Sequence, residues 1–308
     1  MRPFCIQGGR VLTADGLQAT EVTVADGRIA ALGAPAGATM TLDARDWSCD
    51  MRVHLRWEAY NLAALETALA DIAGARVHLL AFNDHTPAIL RRLGDPVAAA
   101  KYSDRAGMRL DAFRALAEQI GRRESEIGPA QDRLATAARL AGVPMASHDD
   151  ASISDREHFR AQGAQICEFP MAEEVGRAAR NAGDAVAMGS PNVVRGGSHL
   201  GWASAAQLAE AGICNVLTSD YFYPCLLRAP FVLAGRGVFD LARAWALVSK
   251  NPALAAGLAD RGEIIPGRRA DLLLVDGRRA SPRLVATIAR GEVVHGGPDF
   301  WSRRMGLS

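Results

Sequence analysis

The sequence predicts an α/β protein, a (β/α)8-type barrel that carries a small β-sandwich. The middle of the chain alternates short apolar strands with Ala-, Leu- and Arg-rich helical segments, which is typical of a parallel sheet. Polar residues follow nearly every one of these strands, as the active-site face of a barrel requires. Residues 1–47 and 259–308 instead carry short β-rich segments with glycine turns.

The elements follow in order along the chain. The N-terminal segments FCIQGGRVL, EVTVADGRIAAL and ATMTLDA predict short strands, and Asp26-Gly27 predicts a hairpin turn. The C-terminal segments GEIIPGRRADLLLVDG and ATIARGEVVHGG are similar, so both ends are predicted to form one composite sandwich. Residues 51–258 form the predicted barrel, with a helical insert at about 95–141. Its six predicted buried strands are 53–58, 77–84, 143–150, 164–170, 185–192 and 215–221.

Composition narrows the class of protein. The net charge of +1 gives no overall attraction to nucleic acid or to an acidic membrane surface. The five cysteines are scattered without a C-x-x-C pair, which predicts reduced thiols in a cytoplasmic protein. The N-terminus has no signal-peptide pattern, and no apolar run reaches the ~18–20 residues that span a bilayer.

Four residues at successive predicted strand ends form a candidate metal site. Imidazole and carboxylate groups from different strand ends can converge on one or two divalent ions such as zinc. The predicted ligands are Glu58, His85, His148 and Asp220. A bound ion would activate water, and Asp220 could take the proton as the catalytic general base. For each residue alone, the simpler interpretation is an ordinary hydrogen-bonded strand-end side chain.

The segment MGSPNVVRGGSHLGW, residues 188–202, is a candidate substrate loop. Its glycines let backbone N–H groups approach an anion, and its polar side chains add donors. The predicted substrate-binding residues are Asn192, Arg195, Gly196, Gly197 and His199. An ordinary glycine-rich loop after a strand is the alternative. The other histidines, His54, His78, His158 and His295, are expected to be structural.

The residues resemble one known family in order along nearly the whole chain. The matching strings are HLRWE, NDHTP, ASHDD, EFP, MGSPNVVRGGSHLGW, LTSDY and NPALAAGLADRGEIIPGRRADLLLVD. Together they resemble the α-D-ribose 1-methylphosphonate 5-triphosphate diphosphatases of phosphonate metabolism, which belong to the amidohydrolase superfamily. The MGSPNVVRGGSH segment and the SHDD and TSDY pair are specific to this group, whereas the C-terminal string is shared across the superfamily.

The resemblance implies a reaction and a role for each candidate residue. The family hydrolyses the 5-triphosphate of a ribose phosphonate to the 5-phosphate and pyrophosphate. Glu58 would be a bridging carboxylate or ligand, His85 and His148 would bind metal, and Asp220 would be ligand and proton acceptor. Arg195 and His199 would face the phosphate chain of the substrate.

The chain departs from the family after the first β-rich segment. Family members carry there a strand ending in Pro-Gly-x-x-Asp-x-His-x-x, a motif that this sequence lacks. Six strands instead of eight agree with a deletion of roughly 60 residues around 46–51, two βα units. Fewer ligands favour one bound ion over two. Open strand edges could also pair with another chain, so a homo-oligomer is allowed.

Two alternative functions follow from this departure. A barrel without its first-strand histidines could be catalytically inactive and bind a phosphorylated sugar or a protein partner. A barrel with a mononuclear site could instead be a deacetylase or deaminase of the same superfamily. The phosphate-compatible loop at 188–202 favours the diphosphatase over the second alternative.

Overall fold

The computed structural model describes the strands between residues 4 and 43 together with residues 50–196, 204–264, 268–277 and 281–297. The chain divides into two compact units, Met1–Met51 and Arg52–Ser308. Their boundary lies where the predicted barrel begins. The assignment of both chain ends to one composite sandwich stays a prediction.

The first unit contains short β-strands, as its alternating segments predict. They are β1 (Phe4–Gln7), β2 (Val11–Thr13), β3 (Gly16–Gln18), β4 (Val22–Ala25), β5 (Arg28–Leu32) and β6 (Thr41–Asp43). Four of them form a sheet in the order β5-β4-β1-β6, and β2 pairs with β3. Ala25 pairs with Arg28 in the antiparallel β4–β5 ladder, so two strands flank the predicted hairpin turn.

The second unit begins with strands and helices that alternate, and a helical insert interrupts them. Its first half contains β7 (His54–Glu58), α1 (Leu65–Ala73), β8 (Leu79–Asn83), α2 (Thr86–Arg92), α3 (Pro96–Ala106), α4 (Leu110–Gly121) and α5 (Ile127–Leu140). Helices α3 to α5 are the predicted insert. Asp95 caps α3 by accepting from the backbone N–H of Val97 at 2.9 Å, and Pro96 occupies its first turn.

The alternation continues through the rest of this unit. The next elements are β9 (Met145–His148), α6 (Ile153–Gln162), β10 (Ile166–Glu168), α7 (Glu173–Asn181), β11 (Ala185–Gly189), α8 (Ser190–Arg195), α9 (Ala205–Glu210) and β12 (Val216–Thr218). Helices α10 (Cys225–Gly235), α11 (Leu241–Ala246) and α12 (Lys250–Ala255) follow. Each of the six predicted buried strands is present, within a few residues of its predicted bounds.

The six strands form one sheet in sequential order, from β7 at one edge to β12 at the other. Every neighbouring pair is parallel. The prediction of an α/β protein with a parallel sheet is therefore confirmed. Closure of a barrel and the deletion stay predictions, since β7 and β12 each have one sheet neighbour within the described residues. None of the described helices combines the length and the apolar character needed to cross a membrane.

The two faces of the parallel sheet bury different side chains. Large apolar residues such as Trp57, Leu80 and Phe82 pack in one buried cluster with residues of α1 and α5. Ala81 and Ala146 belong to a separate cluster that also contains Ile166 and Val216. Side chains alternate between faces along a strand, so Arg56 and Glu58 lie on the face opposite Trp57.

The last described residues form a separate antiparallel sheet. It contains β13 (Leu272–Asp276), β14 (Arg283–Ala289) and β15 (Glu292–Gly296), which pair antiparallel in that order. The C-terminal β-rich segments thus form strands, as their sequence predicts.

Candidate metal centre

Strand register brings the candidate residues to one edge of the sheet. Glu58, the last residue of β7, pairs with Asn83 on β8, and His148 on β9 pairs with Glu168 on β10. These positions end their strands, and parallel strands present their carboxyl ends at the same edge. Because paired residues of neighbouring strands point to the same face, the side chains of His148 and Glu168 are adjacent.

Glu58 orients the imidazole of His85. The Nδ1 atom of His85 lies 2.8 Å from Glu58 Oε1. An ionised carboxylate only accepts hydrogen bonds, so this Nδ1 carries the proton and Nε2 is left with its lone pair. The opposite ring nitrogen, Nε2, lies 3.7 Å from Asp149 Oδ2. Half-exposed His85 therefore presents a metal-binding nitrogen toward Asp149.

His148 has the same arrangement on the neighbouring strand. Its Nδ1 lies 3.3 Å from Glu168 Oε2, and its Nε2 lies 3.5 Å from Asp149 Oδ1. The side chains of His148 and Glu168 are only 11% and 10% exposed, so this pair is held more rigidly than Glu58 and His85. Asp149 lies between the two imidazoles.

The donor set fits one divalent ion. Ligand atoms of His85, His148 and Asp149 all lie within 4.8 Å of one another. The closest contacts of the two histidines to Asp149 run to different carboxylate oxygens, at 3.7 Å from His85 Nε2 and 3.5 Å from His148 Nε2. Ligands of a tetrahedral zinc ion, each bound at about 2.0–2.1 Å, are about 3.3 Å apart, so small shifts of these side chains would place them around one ion. Each histidine also has a carboxylate on its other nitrogen, the usual outer partner of a metal-binding histidine. Of the predicted ligands, this set contains His85 and His148.

Asp149 and Glu168 were not among the predicted ligands, although both are strand-end polar residues. Asp149 adopts a left-handed backbone with φ of 59°, and Phe169 after Glu168 has φ of 54°. Such a conformation is strained for a side chain like phenylalanine and is concentrated at functional sites. The left-handed turn at Asp149 aims its carboxylate at the two histidines. The sequence signal was the adjacent pair His148-Asp149, but its geometry depends on that turn.

A buried ion pair lies directly behind His148 and Asp149. Arg156 donates to Asp150 Oδ2 at 3.2 Å and to Ser147 Oγ at 2.6 Å, and all three side chains are almost fully buried. It also donates to the carbonyl of Ala164, two residues before β10. Ser147 in turn donates to Asp150 at 2.7 Å. This network ties β9, α6 and β10 together at the residues that carry the site.

Burial raises the pKa of Asp150 above its usual value, while Ser147 and Arg156 lower it. Burial likewise raises the pKa of Cys167 and keeps that thiol protonated, so it donates to Asp150 at 3.4 Å. Cys167, Cys214 and Cys225, the cysteines whose side chains the structure describes, are buried free thiols.

Asp220 lies two residues after β12, the edge strand of the sheet that pairs with β11. Its backbone is also left-handed, with φ of 50°. A methyl group on Gly189, the last residue of β11, would lie 2.9 Å from Asp220 Oδ2. The Asp220 carboxylate thus occupies the space that a side chain at position 189 would fill. Its roles as ligand and base stay predictions.

The candidate substrate loop is described only in part. Asn192 lies in α8, and its Oδ1 accepts from the backbone N–H of Ala205 at 2.8 Å. Arg195 ends α8 with its guanidinium 5.6 Å from the ring centroid of Tyr221, and Gly196 follows with φ of 88°. Gly197 and His199 lie outside the described residues. Of the remaining histidines, His78 accepts from the backbone N–H of Val53 at 3.1 Å, in keeping with a structural role.

A parallel sheet with paired histidines and carboxylates at its carboxyl edge defines an α/β protein with a candidate metal centre. No protein-family model matches the chain. Over 229 residues it is 36% identical to the α-D-ribose 1-methylphosphonate 5-triphosphate diphosphatase of Escherichia coli (strain K12). The match covers 72% of this chain and 60% of the relative, so the chain spans less than two thirds of the relative's length. The resemblance carried by the motifs is confirmed: this chain is a relative of that diphosphatase.

Solved structures with some likeness include two enzymes of known activity. A β-aspartyl dipeptidase from Fervidobacterium islandicum AW-1 has a TM-score of 0.44 at 13% identity and covers 96% of this chain and 97% of its own. An L-hydantoinase from Arthrobacter aurescens has a TM-score of 0.39 at 13% identity, with 96% of both chains covered. Such distant likenesses decide neither the fold nor the activity.

Proposed function

We propose that this chain is a metal-dependent hydrolase that cleaves a phosphoric anhydride of a phosphorylated ribose phosphonate. The carrying observation is the convergence of His85, His148 and Asp149 at the sheet edge, in a chain 36% identical to a diphosphatase. The proposed reaction is the one in that relative's name. It converts α-D-ribose 1-methylphosphonate 5-triphosphate to the 5-phosphate and pyrophosphate.

His85, His148 and Asp149 would hold one divalent ion, for which two imidazoles and a carboxylate favour zinc. When bound, the ion supplies a Lewis acid for a phosphoryl oxygen and lowers the pKa of water. Glu58 and Glu168 keep the protons on the Nδ1 atoms of the two histidines, which leaves each Nε2 atom with its lone pair. Glu58 was predicted as a metal ligand, but in this geometry its carboxylate contacts His85 Nδ1 and so orients a ligand.

Asp220 would take the proton from the attacking water. In the proposed step the water oxygen bonds to one phosphorus of the α–β anhydride, and the bond from that phosphorus to the bridging oxygen breaks. The proton goes to the Asp220 carboxylate, and the bridging oxygen leaves with the other phosphate. The support is that this carboxylate is fixed against Gly189, the last residue of β11, because a general base must be held in a defined position.

Residues 188–202 would bind the phosphate chain. Arg195 is exposed at the end of α8 beside Tyr221, and a guanidinium there can reach an anion from solvent. Gly196, Gly197 and His199 are proposed to contribute donors, as the loop composition predicts. Asn192 already uses its Oδ1 on Ala205, so only its amide N–H group could serve the substrate.

The testing experiment measures bound metal and pyrophosphate release in the wild type and in Asp220→Asn. We expect about one zinc-like ion per chain, and hydrolysis reduced by at least about 100-fold in the variant, the usual contribution of a general base. Asp104→Asn on exposed α3 is the matched control and should hydrolyse normally. If Asp220→Asn loses hydrolysis but keeps its bound metal, the result supports Asp220 as the general base. If the variant loses the metal, the result supports Asp220 as a ligand.

Two results would contradict the proposal. Full hydrolysis by Asp220→Asn would remove Asp220 from the reaction. A wild-type protein that binds the triphosphate without cleaving it, at any concentration of zinc, would instead favour the inactive, sugar-binding alternative.

Replacing Gly189 with alanine should reduce hydrolysis by about 10- to 100-fold while the protein stays folded. The backbone at Gly189, with φ of −76°, suits alanine, so the effect comes from the methyl group that displaces the Asp220 carboxylate. The rate of pyrophosphate release is measured beside Gly128→Ala, where a methyl group meets open space. Equal rates in both variants would show that the position of Asp220 is unimportant.

A further inference from the structure

Arg56 is a charged residue in the candidate metal centre that no predicted role includes. It lies on β7 two residues before Glu58, on the face opposite the buried Trp57. Its Nη2 atom lies 2.9 Å from the Nε2 atom of His148. This is the same nitrogen that faces Asp149 and belongs to the candidate metal donor set.

The contact with Arg56 defines the tautomer of a neutral His148 ring. A guanidinium has only donors, so His148 Nε2 must accept with its lone pair. The proton of the neutral ring then lies on Nδ1, facing Glu168 Oε2 at 3.3 Å. Arg56 therefore uses the lone pair with which His148 would coordinate a metal. One lone pair cannot serve a guanidinium N–H group and a divalent ion at the same time.

Asn83 holds Arg56 in this position. With its amide oxygen turned toward Arg56, Asn83 accepts from both Nε and Nη2 at 3.0 Å and donates to the carbonyl of Phe82 at 3.2 Å. Asn83 is buried at the end of β8, so it forms a fixed two-point anchor for the guanidinium. The three carboxylates of Glu58, Asp149 and Glu168 add negative charge that a cation at this point offsets.

We propose that Arg56 is an internal competitor of the divalent ion. Its guanidinium neutralises the cluster by binding His148 Nε2, and an ion can bind His148 only after this hydrogen bond breaks. The inference rests on the proposed metal centre but not on any substrate. The protein would thus bind metal more weakly than its ligands alone allow.

The first test is the tautomer of His148 in the metal-free wild type, measured by 15N NMR of the labelled imidazole. We expect the Nδ1–H tautomer, with the Nε2 resonance of a nitrogen that accepts a hydrogen bond. The resonance is assigned from its loss in His148→Ala. An Nε2–H tautomer would overturn the proposal, because Arg56 could not then donate to this atom.

The second test compares zinc affinity by calorimetry, without substrate, in the wild type and in Arg56→Met. Methionine keeps an unbranched apolar stem and removes the donor. We expect binding tightened by about 10- to 100-fold, the size expected for loss of one charge-assisted hydrogen bond. Arg92→Met, which removes the same charge from the exposed end of α2, should bind zinc like the wild type.

Equal affinity in the wild type and Arg56→Met would overturn the competition, and so would weaker binding or no binding by the variant. Failure of the proposed hydrolysis is a separate outcome, since neither test uses a phosphorylated substrate. A tighter Arg56→Met protein that hydrolyses nothing would support the competition and contradict the diphosphatase activity.

Discussion

Replacing His148 with alanine should weaken zinc binding by more than about 100-fold. His148 is the least exposed of the three candidate ligands, and Glu168 fixes its ring from the other side. Loss of an outer partner alone typically costs 10- to 100-fold in metal affinity, so loss of the ligand itself should cost more. Zinc content by elemental analysis and affinity by titration measure the effect.

His158→Ala is the matched control for this variant. His158 lies on α6, the helix that follows the same strand, and its side chain is exposed. It contacts the ring of Phe159 and is not part of the strand-end cluster. Unchanged zinc content in His148→Ala would exclude His148 as a ligand, and equal losses in both variants would indicate a general effect on folding.

Replacing Arg156 with methionine should lower the free energy of unfolding by about 3–5 kcal/mol, the cost of breaking a buried ion pair by removing one partner. Arg156 and Asp150 are 2% and 0% exposed at the side chain and 3.2 Å apart, and Asp184 lies 3.6 Å from the same guanidinium. Without Arg156, the Asp150 carboxylate keeps a single strong partner, Ser147, in an apolar setting. Denaturant unfolding followed by circular dichroism measures the change.

Arg177→Met provides the comparison at an exposed ion pair. Arg177 pairs with Glu173 on α7, and both side chains are about half exposed, so solvent screens the pair. Its removal should change the free energy of unfolding by at most about 0.5 kcal/mol. Similar losses in both variants would contradict a special role for the buried network behind β9.

Local patterns in the sequence were enough to predict the helices, the strands and the class of protein. The alternation of short apolar segments with helical ones predicted all six parallel strands, including β7, where charged Arg56 and Glu58 share one face. Strand-end polar residues predicted where the site lies, since parallel strands bring their carboxyl ends to one edge. His85 and His148 followed from that logic, and the ordered motifs identified the relative.

The sequence by itself therefore determined the parallel α/β sheet, its polar edge and two histidines of the candidate centre. Only the tertiary structure decided which carboxylates join them. Asp149 reaches both imidazoles because its backbone turns left-handed, and Glu168 meets His148 because the β9–β10 register aligns them. Arg56 meets His148 across an intervening strand. The side-chain contacts that result depend on how distant segments pack in the whole sheet, so the local patterns used here did not reveal them.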